Sequence, residues 1–373
     1  MNRPALFTVA GLLLVLSAGS ARGAAPGERT LREAAAGRFE IGVGISDRIP
    51  ERPVDWPLLT AQFGIITPEN CMKPAAVQPV EGEFHFEQPD AFVAFANQRR
   101  LKVVGHCLVW AKDDRTPAWF FRDGAGAASR ELLLARMRQH IETEVGRYRG
   151  RIAMWDVVNE ALDDGAEFLR PSGWSRACGE EFLVKAFEYA HAADPQALLI
   201  YNDYNNEAPA KREKTVRLIR SLLARGAPVQ AVGLQGHYEL DRVPYDDLEA
   251  TLVAIGGLGL KVVVSELDID VIPRAKWWSE GGKYRDELAK IDPYRDACPP
   301  EILARQAEQY GRLFRLFRKR SEVIARVSFW DLHDGQSWLN DFPWKRVNHP
   351  LLFDRQGQPK PAYAAVVNAL GMP

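Results

Sequence analysis

The 373-residue chain contains no CxxC pair, no HxH and no HExxH spacing. Zinc-knuckle, thiol-redox and zincin chemistry therefore find no support in its motifs. No Gly-rich phosphate fingerprint follows any strand-like run, which leaves nucleotide binding without a cradle. Neither sign of charge is in excess: Lys and Arg number 48, Asp and Glu 49, for a formal net charge of -1. Nothing in that balance would draw the chain to nucleic acid or an acidic membrane surface. Past the N-terminus, no apolar run is long enough to span a bilayer. Internal repeats, low-complexity tracts and an interdomain linker are all missing.

What is present begins with the N-terminus. Arg3 precedes an apolar segment, 5–15, which trails into Ser17-Ala18-Gly19-Ser20-Ala21. A basic start, a short apolar middle and a small-residue end form the pattern of a secretory signal, and cleavage is expected after Gly23. The alternative is a retained anchor. Residues 1–23 are accordingly set aside as a signal peptide, and 24–373 are expected to form one catalytic domain, secreted or periplasmic, off the membrane and monomeric. An oxidising compartment permits disulfides. Cys71 and Cys107 lie inside two polar strand ends and could bridge if those strands are neighbours; Cys178 and Cys298 make a weaker pair.

The mature chain alternates. Apolar, strand-like runs occur at 41–45, 63–67, 102–105, 152–158, 197–200, 231–234, 261–264 and 327–329. After a helical start at 31–36, helix-like stretches fall at 90–100, 129–148, 180–192, 211–224, 245–255, 302–318 and 361–370, with Ser129 placed as an N-cap. Such alternation means parallel strands with crossover helices. About eight units at this length predict an α/β fold, the (β/α)8 TIM barrel. A doubly wound open sheet would gather its polar strand ends at one switch point. Here polar residues follow nearly every strand, as expected if all C-terminal ends meet at one mouth. Residues 277–300, rich in Lys, Glu, Asp and Gly, read as a long loop after the seventh strand.

The fourth run ends in Trp155-Asp156-Val157-Val158-Asn159-Glu160, and the seventh in Ser265-Glu266-Leu267-Asp268. Strands four and seven stand on roughly opposite sides of an eight-stranded ring, so Glu160 and Glu266 can flank something in the middle. Two carboxyls across a sugar ring are what glycosidic cleavage needs: one protonates the leaving oxygen, the other attacks the anomeric carbon or activates water. Amides, imidazoles, a lysine and several aromatics stand at the other strand ends, groups suited to sugar hydroxyls and to the C–H faces of sugar rings. A competing metal reading would use His106, His237, His333, Asp268 and Asp334. No ligand spacing favours it, and no metal or cofactor is expected.

Six segments together resemble glycoside hydrolase family 10, the endo-β-1,4-xylanases: Glu69-Asn70-Cys71-Met72-Lys73, Gly105-His106-Cys107-Leu108-Val109-Trp110, the stretch ending in Glu160, Gln235-Gly236-His237, the stretch beginning at Ser265, and Phe329-Trp330 through Ser337-Trp338. The resemblance covers about 41–370. It implies a retaining double displacement on xylan, with Glu160 as acid/base and Glu266 as nucleophile. It further implies that Asn159 holds the 2-hydroxyl of the reacting sugar and that His237 keeps Glu266 ionised and oriented. Glu69, Asn70 and Lys73 would contact sugars on the non-reducing side, with His106, Trp110 and Gln235 around the reacting ring. Trp330 and Trp338 would crowd out a hydroxymethyl arm, and Tyr204 would be a stacking platform on the leaving-group side. A β-1,4-glucanase on the same barrel and a non-catalytic xylan-binding barrel are the alternatives. The chain departs from the family at Pro74, where Trp is frequent, at Ala111, where His is frequent, in the loop Asp113-Asp114-Arg115, and at Asp331, where Gly is common. Those departures bear on the outer subsites and on branch preference.

Overall fold

Eight short runs of mostly β-branched and aliphatic residues can be buried on both faces only as strands of a covered parallel sheet. In the computed structural model, which describes residues 29–371 except 276 and 278–284, they do so as β1 (Glu40–Ile45), β2 (Ile65–Pro68), β3 (Lys102–Trp110), β4 (Met154–Asn159), β5 (Leu198–Asp203), β6 (Ala231–Leu234), β7 (Lys261–Asp270) and β8 (Ile324–Trp330). Each pairs in parallel with the next. β8 pairs back onto β1 through Val43↔Phe329 and Gly44↔Trp330, so the ring closes without an edge. This is the expected (β/α)8 barrel. The expected signal peptide at 1–23 lies outside the described residues, as do 278–284 of the expected 277–300 loop. That loop carries one helical turn at Arg285–Leu288.

Seven helices cross between the strands, α1 (Trp56–Gln62), α2 (Glu87–Gln98), α3 (Arg130–Arg147), α4 (Glu181–Ala193), α5 (Pro209–Ala224), α6 (Tyr245–Gly256) and α7 (Pro300–Lys319), and α8 (Pro361–Gly371) follows the last strand. α7 shows why. Tyr310, Leu313, Phe314 and Phe317 are buried at spacings of three and four, one stripe of a 3.6-residue turn, while Arg318 and Lys319 sit in the last turn, where a cation meets the helix dipole. α3 begins where expected, the Ser129 hydroxyl accepting from the Leu132 N–H at 3.2 Å, a cap worth about 1 kcal/mol. Among the described residues no helix is long and apolar enough to cross a membrane.

Side chains alternate between two apolar zones, as the strand pleat requires. Ile65, Val104, Met154, Ile200, Ala231 and Val263 form a cluster of their own. Their sequence neighbours Ile66, Val103, Trp155, Leu199, Val232 and Val262 belong to the larger zone shared with the helices. The small cluster fills the barrel interior and so forms a floor beneath the mouth.

Register carries polar residues to that mouth. One rung runs Trp110↔Asn159, Asn159↔Asn202, Asn202↔Gly233 across four strands. In β7 the pairing passes from Val264↔Val327 to Leu267↔Phe329, so Ser265 and Glu266 together oppose the single residue Ser328. Glu266 thus lies in a bulge, an irregularity that re-aims side chains beside sites. Two glycines make room. A Cβ on Gly44 would lie 2.4 Å from the Trp330 ring, and one on Gly233 would lie 2.2 Å from the Asn202 Oδ1. All four cysteines are free thiols. β2 and β3 are neighbours through Ile65↔Lys102, yet Cys71 and Cys107 do not bridge, and burial pushes both thiols up and so keeps them protonated.

Candidate active site

The strand ends surround a cleft of about 710 Å³ at the barrel mouth. Every residue that the sequence nominates for sugar binding or cleavage lines it except Asn70; of the metal candidates, Asp268, His333 and Asp334 do not. Asn70 is exposed and instead accepts a hydrogen bond from the Lys73 Nζ at 2.9 Å. Its effect on the cleft runs through that lysine, whose Nζ lies 4.9 Å from the centre of the Trp110 ring.

Glu266 is buried and fully engaged. Its Oε1 accepts from the Asn202 Nδ2 at 2.8 Å, and its Oε2 lies 3.3 Å from the His237 Nε2. The other ring nitrogen, Nδ1, is 2.8 Å from the Asp268 Oδ2, which also accepts from the Trp338 Nε1 at 2.8 Å. Burial alone would favour a neutral imidazole, but the Asp268 and Glu266 carboxylates outweigh it and raise the His237 pKa to about 9. At neutral pH both ring nitrogens therefore donate. Burial likewise would push the Glu266 carboxyl up. The hydrogen bond from His237, the charges of His106 and His237, and the Asn202 amide overcome that and hold it below the ordinary value. Glu266 is built to stay a carboxylate in a dry site.

Glu160 follows the last residue of β4 with φ +58°, a left-handed conformation rare outside glycine. Its N–H donates to the Asn202 carbonyl at 2.9 Å and its carbonyl accepts from the Arg170 Nε at 2.9 Å, which pins the turn. A strained conformation held from both sides marks a functional position. The Glu160 Oε1 accepts from the Gln235 Nε2 at 3.2 Å. The Lys112 ammonium stands 2.5 Å from Oε2, a close ion pair outside hydrogen-bonding alignment. Asn159, one residue earlier, points its Oδ1 at the Asn202 Nδ2, 3.0 Å away. Amides therefore link the two carboxyls around the floor of the cleft.

The other walls are similarly braced. His106 holds the Asp156 carboxylate through Nδ1 at 2.8 Å and meets Trp330 edge-on at 5.6 Å. Trp338 packs on His237 and stacks on Phe342, both at 4.9 Å between ring centres. Asp331, with φ +86°, accepts from the Trp338 N–H at 2.8 Å and so ties down the segment that carries this ring. Glu69 and Asp331 are both shifted upward, first by burial and then by like charges nearby, Asp47 and Glu266 for the former and Glu69 and Asp268 for the latter. Tyr204 donates to Asp164 at 2.6 Å and accepts from Arg170 at 2.7 Å, with the Lys211 ammonium 3.9 Å from its ring centre.

Asn202 and Lys112, which touch the two carboxyls, are among the site residues that the sequence did not nominate; Arg115, Asp164 and Phe342 in the cleft wall are others. Asn202 did carry a signal: it lies two residues before Tyr204, and alternate residues share a face. Lys112 carried none, since it stands beyond β3 in the altered loop. Of the residues that could have formed a metal site, His237 and Asp268 bond to each other, and no group of three or more His, Cys, Asp or Glu suited to a metal is found among the described residues. Chemically, an ionised buried carboxylate facing a second carboxyl across a cleft of amides, imidazoles and flat rings can cleave a bond between sugars.

Known proteins share this architecture. The model of glycosyl hydrolase family 10 matches residues 30–369. An endo-1,4-beta-xylanase of Geobacillus stearothermophilus is 40% identical over 344 residues, covering 91% of this chain and 98% of its own. Endo-1,4-beta-xylanase B of Paenibacillus barcinonensis is 39% identical over 335 residues, 89% and 96% of the two chains. Among solved structures, an endoxylanase from a sugarcane soil metagenome superposes with a TM-score of 0.85 at 39% identity, covering 92% of this chain and 99% of its own. A xylanase from Paenibacillus barcinonensis bound to a conduramine derivative gives a TM-score of 0.82 at 38% identity, with 92% and 99% covered.

Proposed function

Because this chain belongs to glycosyl hydrolase family 10, we propose that it is an endo-1,4-β-xylanase that cleaves internal bonds of xylan by retaining double displacement. Glu266 is the nucleophile and Glu160 the acid/base. The observation that carries the assignment of roles is the Asp268–His237–Glu266 chain, with separations of 2.8 and 3.3 Å. It supplies a protonated imidazole to one carboxyl only, which keeps that carboxyl charged and ready to attack. Glu160, on the far side, gives its proton to the leaving oxygen as the Glu266 Oε bonds to the anomeric carbon. Water then attacks that ester, and Glu160 takes back a proton.

The remaining roles follow from position. Asn159 holds the 2-hydroxyl beside Glu266. His106, Trp110 and Gln235 surround the reacting sugar. Glu69 and Lys73 bind further sugars on the non-reducing side, Asn70 acting through Lys73, and Tyr204 stacks on the leaving-group side. Trp330 and Trp338 fill the space a hydroxymethyl arm would need, which favours xylose over glucose. The N-terminal sequence pattern supports export, with the mature protein secreted or periplasmic, and the enzyme works as a monomer without cofactor or metal.

Reducing-sugar release from xylan and from carboxymethyl-cellulose tests this reading. Xylan should be preferred by at least about a hundredfold in kcat/KM, the scale of a site that has no room for an extra polar arm. A preference for the glucan would overturn the substrate. Binding of xylo-oligosaccharides with no release of sugar would overturn the enzyme.

A further inference from the structure

The loop after β3 departs from the family at Ala111 and at 113–115, and it brings a cation to the acid/base. It is held at several points. The Ala111 N–H donates to the Asn159 carbonyl at 2.9 Å, the Thr116 hydroxyl to the Trp110 carbonyl at 2.9 Å, and the Asp113 Oδ1 accepts from the Gly173 N–H at 2.6 Å. Lys112 is thus placed, not floating. Its side chain is 28% exposed, and its Nζ stands 2.5 Å from Glu160 and 5.5 Å from the centre of the Tyr204 ring. That position, between the acid/base and the stacking tyrosine, is the leaving-group side of the cleft. Arg115 stands beside it, 5.5 Å from the centre of the Trp110 ring.

The neighbouring cations are committed elsewhere. Lys211 bonds to Asp164 and Asp203, each at 2.9 Å, and Arg170 to Tyr204. Among the described residues, Lys112 has an ion pair with Glu160 alone, and Arg115 with the exposed Asp114 at 3.6 Å. Glu160 must carry a proton when it acts as the acid. At that moment Lys112 faces a neutral carboxyl and loses its counter-charge while half-buried, where an unpaired charge is costly. A carboxylate carried by the substrate would restore the balance, with Arg115 as a second, forked donor.

We propose that Lys112 and Arg115 receive the carboxylate of a uronic acid branch on the leaving-group-side sugar, so that the enzyme favours acidic xylan over neutral xylan. This rests on the xylanase reading above. A neutral arabinose branch supplies no such charge and gains nothing at this place.

The test uses xylo-oligosaccharides bearing one glucuronic acid branch and the same compounds after reduction of that carboxyl to a hydroxymethyl, which keeps the branch and removes the charge. The full-length enzyme should show kcat/KM about tenfold higher on the acidic compound, the scale of one charge-assisted hydrogen bond. Lys112→Met should bring the acidic-to-neutral ratio close to one, Arg115→Met should lower it in part, and Lys112→Arg should retain it. The ratio in the unmodified protein should also fall as salt is raised. A ratio of one in the unmodified enzyme, or a ratio unchanged in Lys112→Met, overturns the proposal and leaves the xylanase reading standing. Cleavage of neither compound overturns the xylanase reading, and the proposal with it.

Discussion

The His237 Nε2 lies 3.3 Å from the Glu266 Oε2, and the same ring reaches the Asp268 Oδ2 at 2.8 Å through Nδ1. One imidazole thus joins the attacking carboxylate to a fully buried anion. With its pKa raised to about 9, it stays protonated across neutral pH. Asp268→Asn removes the anion that holds this proton, so the His237 pKa should fall. Glu266 is held low by that imidazolium, and activity is lost as pH falls through the Glu266 pKa. At that pH the imidazole is still protonated even with a lowered pKa, so the acidic limb of kcat/KM should stay in place in Asp268→Asn, and the loss of activity on the basic side, where the imidazolium gives up its proton, should move to lower pH. A pH–rate profile and an NMR titration of His237 check this; an unmoved basic limb with a lowered His237 pKa would contradict the coupling.

Glu160→Ala should separate the two steps. Without the acid, xylan cleavage should drop by about 10²–10⁴-fold. An aryl xylobioside with a good leaving group needs little protonation and should still form the ester intermediate. Azide should then speed turnover and yield a β-glycosyl azide, measured by NMR. An equal loss on both substrates without azide rescue would place the acid elsewhere.

Asn202 holds Glu266 at 2.8 Å and Asn159 at 3.0 Å, and is itself fixed by the Ser265 hydroxyl, which donates to its Oδ1 at 2.7 Å. Asn202→Ala should lower kcat by about 10–100-fold, the worth of a hydrogen bond to a buried charge. Gly233→Ala should do similar harm without touching substrate, because its Cβ would fall 2.2 Å from the Asn202 Oδ1. Steady-state kinetics of both variants are the check, with circular dichroism to show that each is folded.

Ile200 is fully buried in the interior cluster beneath the mouth, with Val104, Met154 and Val263. Ile200→Ala opens a cavity that the closed ring cannot collapse around, and should cost about 2–5 kcal/mol. Denaturant unfolding measures it. A loss below about 1 kcal/mol would show that the interior is loosely packed.

Much of this arrangement was legible in the sequence because barrel strands are short, doubly buried and followed by polar residues. The runs at 231–234 and 261–264 sit where expected, and so does the helix capped by Ser129. Some strands extend further than their apolar runs. β3 continues to Trp110 and β7 to Asp270, because ladder bonds persist after the side chains turn polar. α1 escaped notice since it offers two turns, with Pro57 near its start and only Leu59 and Gln62 buried. Asn202 looked like one more polar strand end until the rung that places it against Asn159 was visible. Lys112 could not be read at all, because a loop residue has no period and only the fold brings it to Glu160.

Trapping of the intermediate tests the central claim most directly. A 2-fluoro xylobioside with a good leaving group slows hydrolysis of the ester more than its formation. The enzyme should lose activity with time, and mass spectrometry should find one fluoroxylobiosyl group on the peptide that contains Glu266. Label on any other residue, or none in a sample that demonstrably cleaves xylan, would contradict the account.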